Sequence, residues 1–118
     1  MYSVVTIGDR EIPMLSMASV DLYYKNIFHE DPMEIQTSMD AVRAIKFYHQ
    51  MAFVMAKFAE LHERKEMLKL TEDSYFEWLD TVDRGGLFDA VESIQQVYDG
   101  QKTSTATAKK NEEQSTEK

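Results

Sequence analysis

SMDAVRAIKFYHQMAFVMAKFAELHERK, running from Ser38 to Lys65, is the stretch that decides the fold. Its length and composition predict one long helix. Ala44, Phe47, Met51, Val54, Phe58 and Leu61 recur at helical spacing on one face, and Ala41, Ile45, Tyr48, Ala52, Met55 and Ala59 on a second. Arg43, Lys46, Gln50, Lys57, Glu60 and Arg64 leave only a narrow polar strip, which Phe53 interrupts. A helix apolar around most of its circumference is surrounded by protein. In a chain this small it is either the central helix or it meets another chain. Phe47, Met51, Phe53, Val54 and Phe58 are therefore the candidate partner-binding residues, with Phe53 the sharpest because an aromatic on a polar strip is either a lone exposed residue or an interface anchor.

Outward from this helix the chain reads as α+β and mostly α. Tyr2 to Ile7 is rich in β-branched residues, Gly8-Asp9 is a turn pair, and Glu11 to Leu15 returns as a strand. Pro13 lacks an amide donor and belongs on an edge. A two-stranded hairpin is barely stable alone, so it is expected to lie on the helices. Ser16 or Ser19 is positioned to cap a first helix whose buried face is Val20, Tyr24 and Ile27. Asp31, Pro32 and Glu34 have the form of a capping box with proline at the first helical position, opening a short turn to about Gln36. Thr71 caps the next helix, which buries Tyr75, Trp78, Leu79 and Val82. Asp83-Arg84-Gly85-Gly86 reads as its end, and one last helix carries Leu87, Val91, Ile94 and Tyr98 up to Gly100. The expected division is a hairpin-plus-helical domain over 1–100 and a disordered tail over 101–118, where only Ala106 and Ala108 are apolar.

The bulk chemistry narrows the function classes. With 21 acidic against 13 basic residues the formal net charge is -8, which opposes binding to nucleic-acid phosphates or an anionic membrane surface. No cysteine is present, so disulfides, thiolate nucleophiles and cysteine zinc sites are excluded. Asp9, Arg10 and Glu11 interrupt any signal pattern, and the best apolar run, Phe47 to Ala56, is too short to span a bilayer and holds His49 and Gln50. A soluble intracellular protein is the expectation. His49 and His62 are too far apart for a ligand pair, and His29-Glu30-Asp31 is better read as a loop cap with solvated acids than as a metal site. The acidic pairs Glu30-Asp31, Glu72-Asp73 and Glu112-Glu113 sit in loops, helix first turns or the tail, and no phosphate-binding glycine loop exists. No enzyme, metal or cofactor is predicted. Of the eight methionines, Met51 and Met55 read as core. Met14, Met17, Met33, Met39 and Met67 lie nearer element ends, where packing is the simpler role and a pliable binding surface the alternative.

The order of elements resembles the tail assembly chaperones of long-tailed bacteriophages and prophages, especially those of Gram-positive hosts. The resemblance rests on Phe28 to Pro32, similar to the family's aromatic-Gly-x-Asp-Pro step, on Met55-Ala56-Lys57, and on Phe76-Glu77-Trp78-Leu79. It spans roughly residues 2 to 111, and His29 stands where the family usually has glycine. Phe28, Asp31, Pro32, Phe76, Glu77, Trp78 and Leu79 carry the motifs. The resemblance implies a non-catalytic protein of the host cytoplasm, left out of the mature virion, that coats the tape measure protein before the tail tube polymerises around it. It also implies a longer frameshifted product that recruits tail tube subunits. Ala108-Lys109-Lys110-Asn111 fits an A-rich slippery codon run, although a plain solvated tail is the simpler reading of those residues. Self-association is a further expectation. An acidic helical decoy, imitating DNA to inhibit a nuclease or regulator, is the alternative. Against it, Lys and Arg are interleaved among the acids, and no long single-sign row occurs.

Overall fold

A computed structural model describes residues 2–64 and 70–100, with side chains for 2–60 and 70–100. The order is β1 (Tyr2–Ile7), β2 (Arg10–Leu15), α1 (Ser19–Phe28), α2 (Pro32–Thr37), α3 (Ala41–Arg64), α4 (Glu72–Leu79) and α5 (Arg84–Asp89), followed by a helix α6 over 91–100. This is the α+β, mostly helical architecture expected: an antiparallel hairpin on a small bundle, with the long α3 at its centre. The expected tail, including Lys109, Lys110 and Asn111, lies outside the described residues, as do Lys65 and Met67. The side chains of Leu61, His62 and Arg64 lie outside them too.

The hairpin closes through a two-residue turn in which Gly8 adopts φ +64°, a conformation that glycine takes without steric cost. Registers Ile7–Arg10, Val5–Ile12 and Ser3–Met14 place Val5, Ile7, Ile12 and Met14 on the core side, against α3 and α5. Strand periodicity leaves Tyr2, Val4 and Thr6 facing outward.

Helix boundaries follow local chemistry. His29 ends α1 in the left-handed region at φ 60°, its N–H donating to the Lys25 carbonyl at 2.8 Å. Asp31 caps α2 by accepting from the Met33 N–H at 3.0 Å, with Pro32 at the first helical position, but the expected capping box with Glu34 does not form. Thr71 and Ser74 form a reciprocal capping box at the start of α4.

Three sequence expectations need correction. Neither Ser16 nor Ser19 caps α1: Ser19 is the first helical residue, the N-cap position is Ala18, and no side chain bonds there. The long helix begins at Ala41 rather than Ser38, because the Asp40 carboxylate accepts the Arg43 N–H at 2.8 Å while the Ser38 hydroxyl donates back to the Glu34 carbonyl at 3.2 Å. Gly85-Gly86 does not end a helix. Asp83 caps a new one by accepting from the Gly86 N–H at 2.7 Å, so both glycines sit in the first turn of α5, and the expected single last helix is two pieces meeting at Ala90.

One aromatic chain threads the core. Tyr48, Phe47, Tyr24, Phe28, Tyr75, Phe53 and Trp78 follow one another at centroid distances of 5.0, 5.2, 4.9, 5.2, 5.5 and 6.0 Å. Edge-to-face and tilted pairs of this kind add about 0.5–1.5 kcal/mol each beyond area burial. The chain ties α3 to α1 and α4, and Tyr98 joins it from α6, packing on Phe47 and donating from its hydroxyl to Asp21 Oδ1 at 2.6 Å.

Candidate functional site

The candidate partner-binding residues of the long helix all point inward. Phe53 is 0% exposed, and Phe47, Met51, Val54 and Phe58 are buried with it. Phe53 is neither a lone exposed aromatic nor an anchor presented to a partner. α4 crosses the polar strip at Phe53 and covers that ring with Tyr75 and Trp78, while Arg43, Lys46 and Glu60 stay exposed. Gln50, on the same strip, is also buried, its Oε1 accepting from the Tyr24 hydroxyl at 2.6 Å. Met14 belongs to the core and Met39 is half-buried, leaving Met17 and Met33 on the surface.

The motif residues divide. Phe28 packs edge-on to Tyr75, while Asp31 and Pro32 build the α2 N-terminus. Trp78 is buried against Phe53, and Leu79 is half-buried. Phe76, 56% exposed, and Glu77 face outward. Successive residues on a helix turn by about 100°, so one motif supplies both a core anchor and a surface feature.

Glu77 borders an open groove of about 730 Å³ between β2, α3 and α4. Ile12, Ala56, Ala59 and Trp78 form an apolar floor that keeps a residual exposure to solvent, with Pro13 and Leu70 beside them. The small side chains of Ala56 and Ala59, three residues apart on one helix face, make the depression. Glu11, Glu60 and Glu77 bring acidic groups to the walls, with Arg10 and Lys57 among them. Lys57 Nζ lies 3.3 Å from Glu60 Oε2, and the Arg10 guanidinium donates to the Thr81 carbonyl, holding the hairpin turn to the end of α4.

An apolar floor rimmed by charges suits one ridge of an amphipathic helix, whose side chains at positions i, i+3 and i+4 would enter it. Sequence reading picked out Ala56, Lys57, Glu77 and Trp78 as motif residues but missed Ile12, Pro13, Ala59 and Leu70. The available signal was the Ala52, Ala56, Ala59 series on α3, which marks where a helix surface is shallow.

Burial also shifts ionisable groups. The hydroxyls of Tyr48 and Tyr75 are pushed up to about 12, chiefly by loss of solvent. His49 is pushed down by burial, with its Nε2 lacking a hydrogen-bond partner. Among the described residues no group of three or more His, Asp or Glu is placed to hold a metal, and no helix is long and apolar enough to cross a membrane. No family profile, curated protein or solved structure matches the chain.

Proposed function

We propose that this chain is a tail assembly chaperone of a long-tailed phage or prophage, acting without catalysis in the host cytoplasm by covering apolar seams of the tape measure protein until the tail tube forms. The observation that carries the reading is the split role of Phe76-Glu77-Trp78-Leu79, which locks α4 into the core through Trp78 while lining an open, apolar-floored groove with Trp78 and Glu77. A tape measure protein is a long helical chain, and a seam of its apolar side chains matches a groove of this shape and chemistry. The acidic surface keeps the complex soluble and limits further aggregation. Recruitment of tail tube subunits belongs to a longer frameshifted product, which requires a slippery heptamer in the codons of Lys109, Lys110 and Asn111.

The test is co-expression of the tagged chain with the long coiled-coil protein encoded beside it. Solubilisation of that partner and co-purification with many copies per partner chain is the expected result. An insoluble partner that fails to co-purify, with the frameshifted form also supplied, overturns the reading. Strongly salt-dependent capture of a DNA-binding protein instead would favour the acidic decoy.

A further inference from the structure

The hairpin has two edges, and they are built differently. With a two-residue turn the flanking pair Ile7–Arg10 is hydrogen-bonded, and alternation then makes Val5–Ile12 and Ser3–Met14 the hydrogen-bonded pairs. The backbone groups of Tyr2, Val4 and Thr6 on β1, and of Glu11, Pro13 and Leu15 on β2, therefore point away from the hairpin. On β2 that edge is blunted, since Pro13 has no N–H to offer and Glu11 is charged.

The β1 edge carries none of these protections. Tyr2-Ser3-Val4-Val5-Thr6-Ile7 holds no charge and no proline, and among the described residues no third strand pairs with it. Among the described residues no other backbone or side-chain group bonds to the outward N–H and C=O of Tyr2, Val4 or Thr6. Tyr2 and Val4 are 58% and 48% exposed, so the strand is open on its outer face as well as along its edge. Natural sheets rarely leave such an edge unguarded unless it is used.

We infer that β1 pairs antiparallel with β1 of a second copy, giving a four-stranded sheet in the order β2-β1-β1-β2 about a two-fold axis at Val4. In that register Val4 faces Val4, and Tyr2 faces Thr6 on both sides. All the outward N–H and C=O groups of the three residues are then satisfied at once. The strand is its own complement, as an isologous interface requires. A chain of net charge -8 repels its copies over most of its surface, but here no charged side chain lies within the paired strands. The strand offers an acidic or basic partner no opposite charge, whereas a second copy meets every outward group in register, which favours a second copy as its occupant. The inference is independent of the chaperone reading.

Sedimentation and light scattering of the full chain should give about twice the 13.7 kDa monomer mass at micromolar concentration. Val4→Lys and Val4→Glu each place like charges on the axis and should weaken association at least tenfold, with the helical signal retained because the side chain is exposed in the single chain. Mixing the two variants should restore it. A monomeric wild type, an assembly indifferent to Val4→Lys, or a mixture that stays monomeric each overturns the inference.

Discussion

Gly86 faces the backbone of Gly8 so closely that a β-carbon on Gly86 would stand 2.2 Å from the Gly8 nitrogen and 2.7 Å from its Cα. The first turn of α5 is thus seated directly on the hairpin turn. The obstructing atoms are main chain, so no rotamer change relieves the overlap, and Gly86→Ala must push the hairpin off α5. Overpacking typically costs about 1–3 kcal/mol, and a backbone obstacle belongs at the top of that range. At about 4–8 °C per kcal/mol for a domain of this size, Tm should fall by roughly 12–24 °C. The neighbour provides the control. A β-carbon on Gly85 meets only Asp83 Oδ2 at 3.7 Å, so Gly85→Ala should leave Tm unchanged or raise it. Equal losses in both variants would disprove the close-approach account.

Phe53 and Trp78 should behave as one packing unit. Phe53→Asp puts a carboxylate at a site with no solvent access, and the far-UV helical signal should collapse. Trp78→Ala should cost about 3–5 kcal/mol in a urea titration, because it empties a buried site against Phe53. As the only tryptophan, Trp78 also reports on its surroundings, and its emission in the native protein should be blue-shifted relative to the denatured chain. A folded Phe53→Asp variant that loses only partner binding would return Phe53 to the surface.

The Tyr24 hydroxyl and Gln50 carbonyl, 2.6 Å apart, form a buried polar contact between α1 and α3. Tyr24→Phe removes the donor and leaves the Gln50 oxygen without it, which should cost about 1–3 kcal/mol. Gln50→Leu in the Tyr24→Phe background removes the orphaned acceptor and should recover part of that loss. A double-mutant cycle in urea measures the coupling, and strict additivity of the two single changes would show that the contact contributes nothing.

What the sequence made legible was local. The hairpin turn at Gly8-Asp9, the Asp31-Pro32 helix start and the Thr71 cap each depend on residues within four positions, and each stands where it was expected. The misreadings share a different cause. Gly85-Gly86 resembled a helix break because its partner, Gly8, lies 78 residues away in the sequence. Phe53 resembled a surface residue because α3 taken alone has a polar strip there, and only the docking of α4 buries it. The groove escaped notice for the same reason: its floor joins Ile12 of β2 to Ala56 and Ala59 of α3 and to Trp78 of α4, and no single helix or strand periodicity reveals that meeting.

His49 makes stability depend on pH in a definite direction. Its Nε2 is buried without a partner, and burial lowers the imidazole pKa below 6.5 while an interaction with the Leu87 backbone opposes the shift in part. Between the folded-state value and 6.5 the unfolded chain binds more protons than the native one, so stability rises with pH across that window. The contribution is complete above the unfolded pKa. It is lost as pH falls through 6.5 toward the folded-state value, where it levels off. His49→Leu removes the titrating group. The difference in Tm between wild type and variant should therefore be constant above about pH 7.5 and move against the wild type as pH is lowered toward about 5.5, ahead of the carboxylates, whose reference values lie near 4. Calorimetric curves of the two proteins that run parallel from pH 7.5 to 5.5, within about 1 °C, would mean that His49 is as well solvated in the native protein as in the unfolded chain.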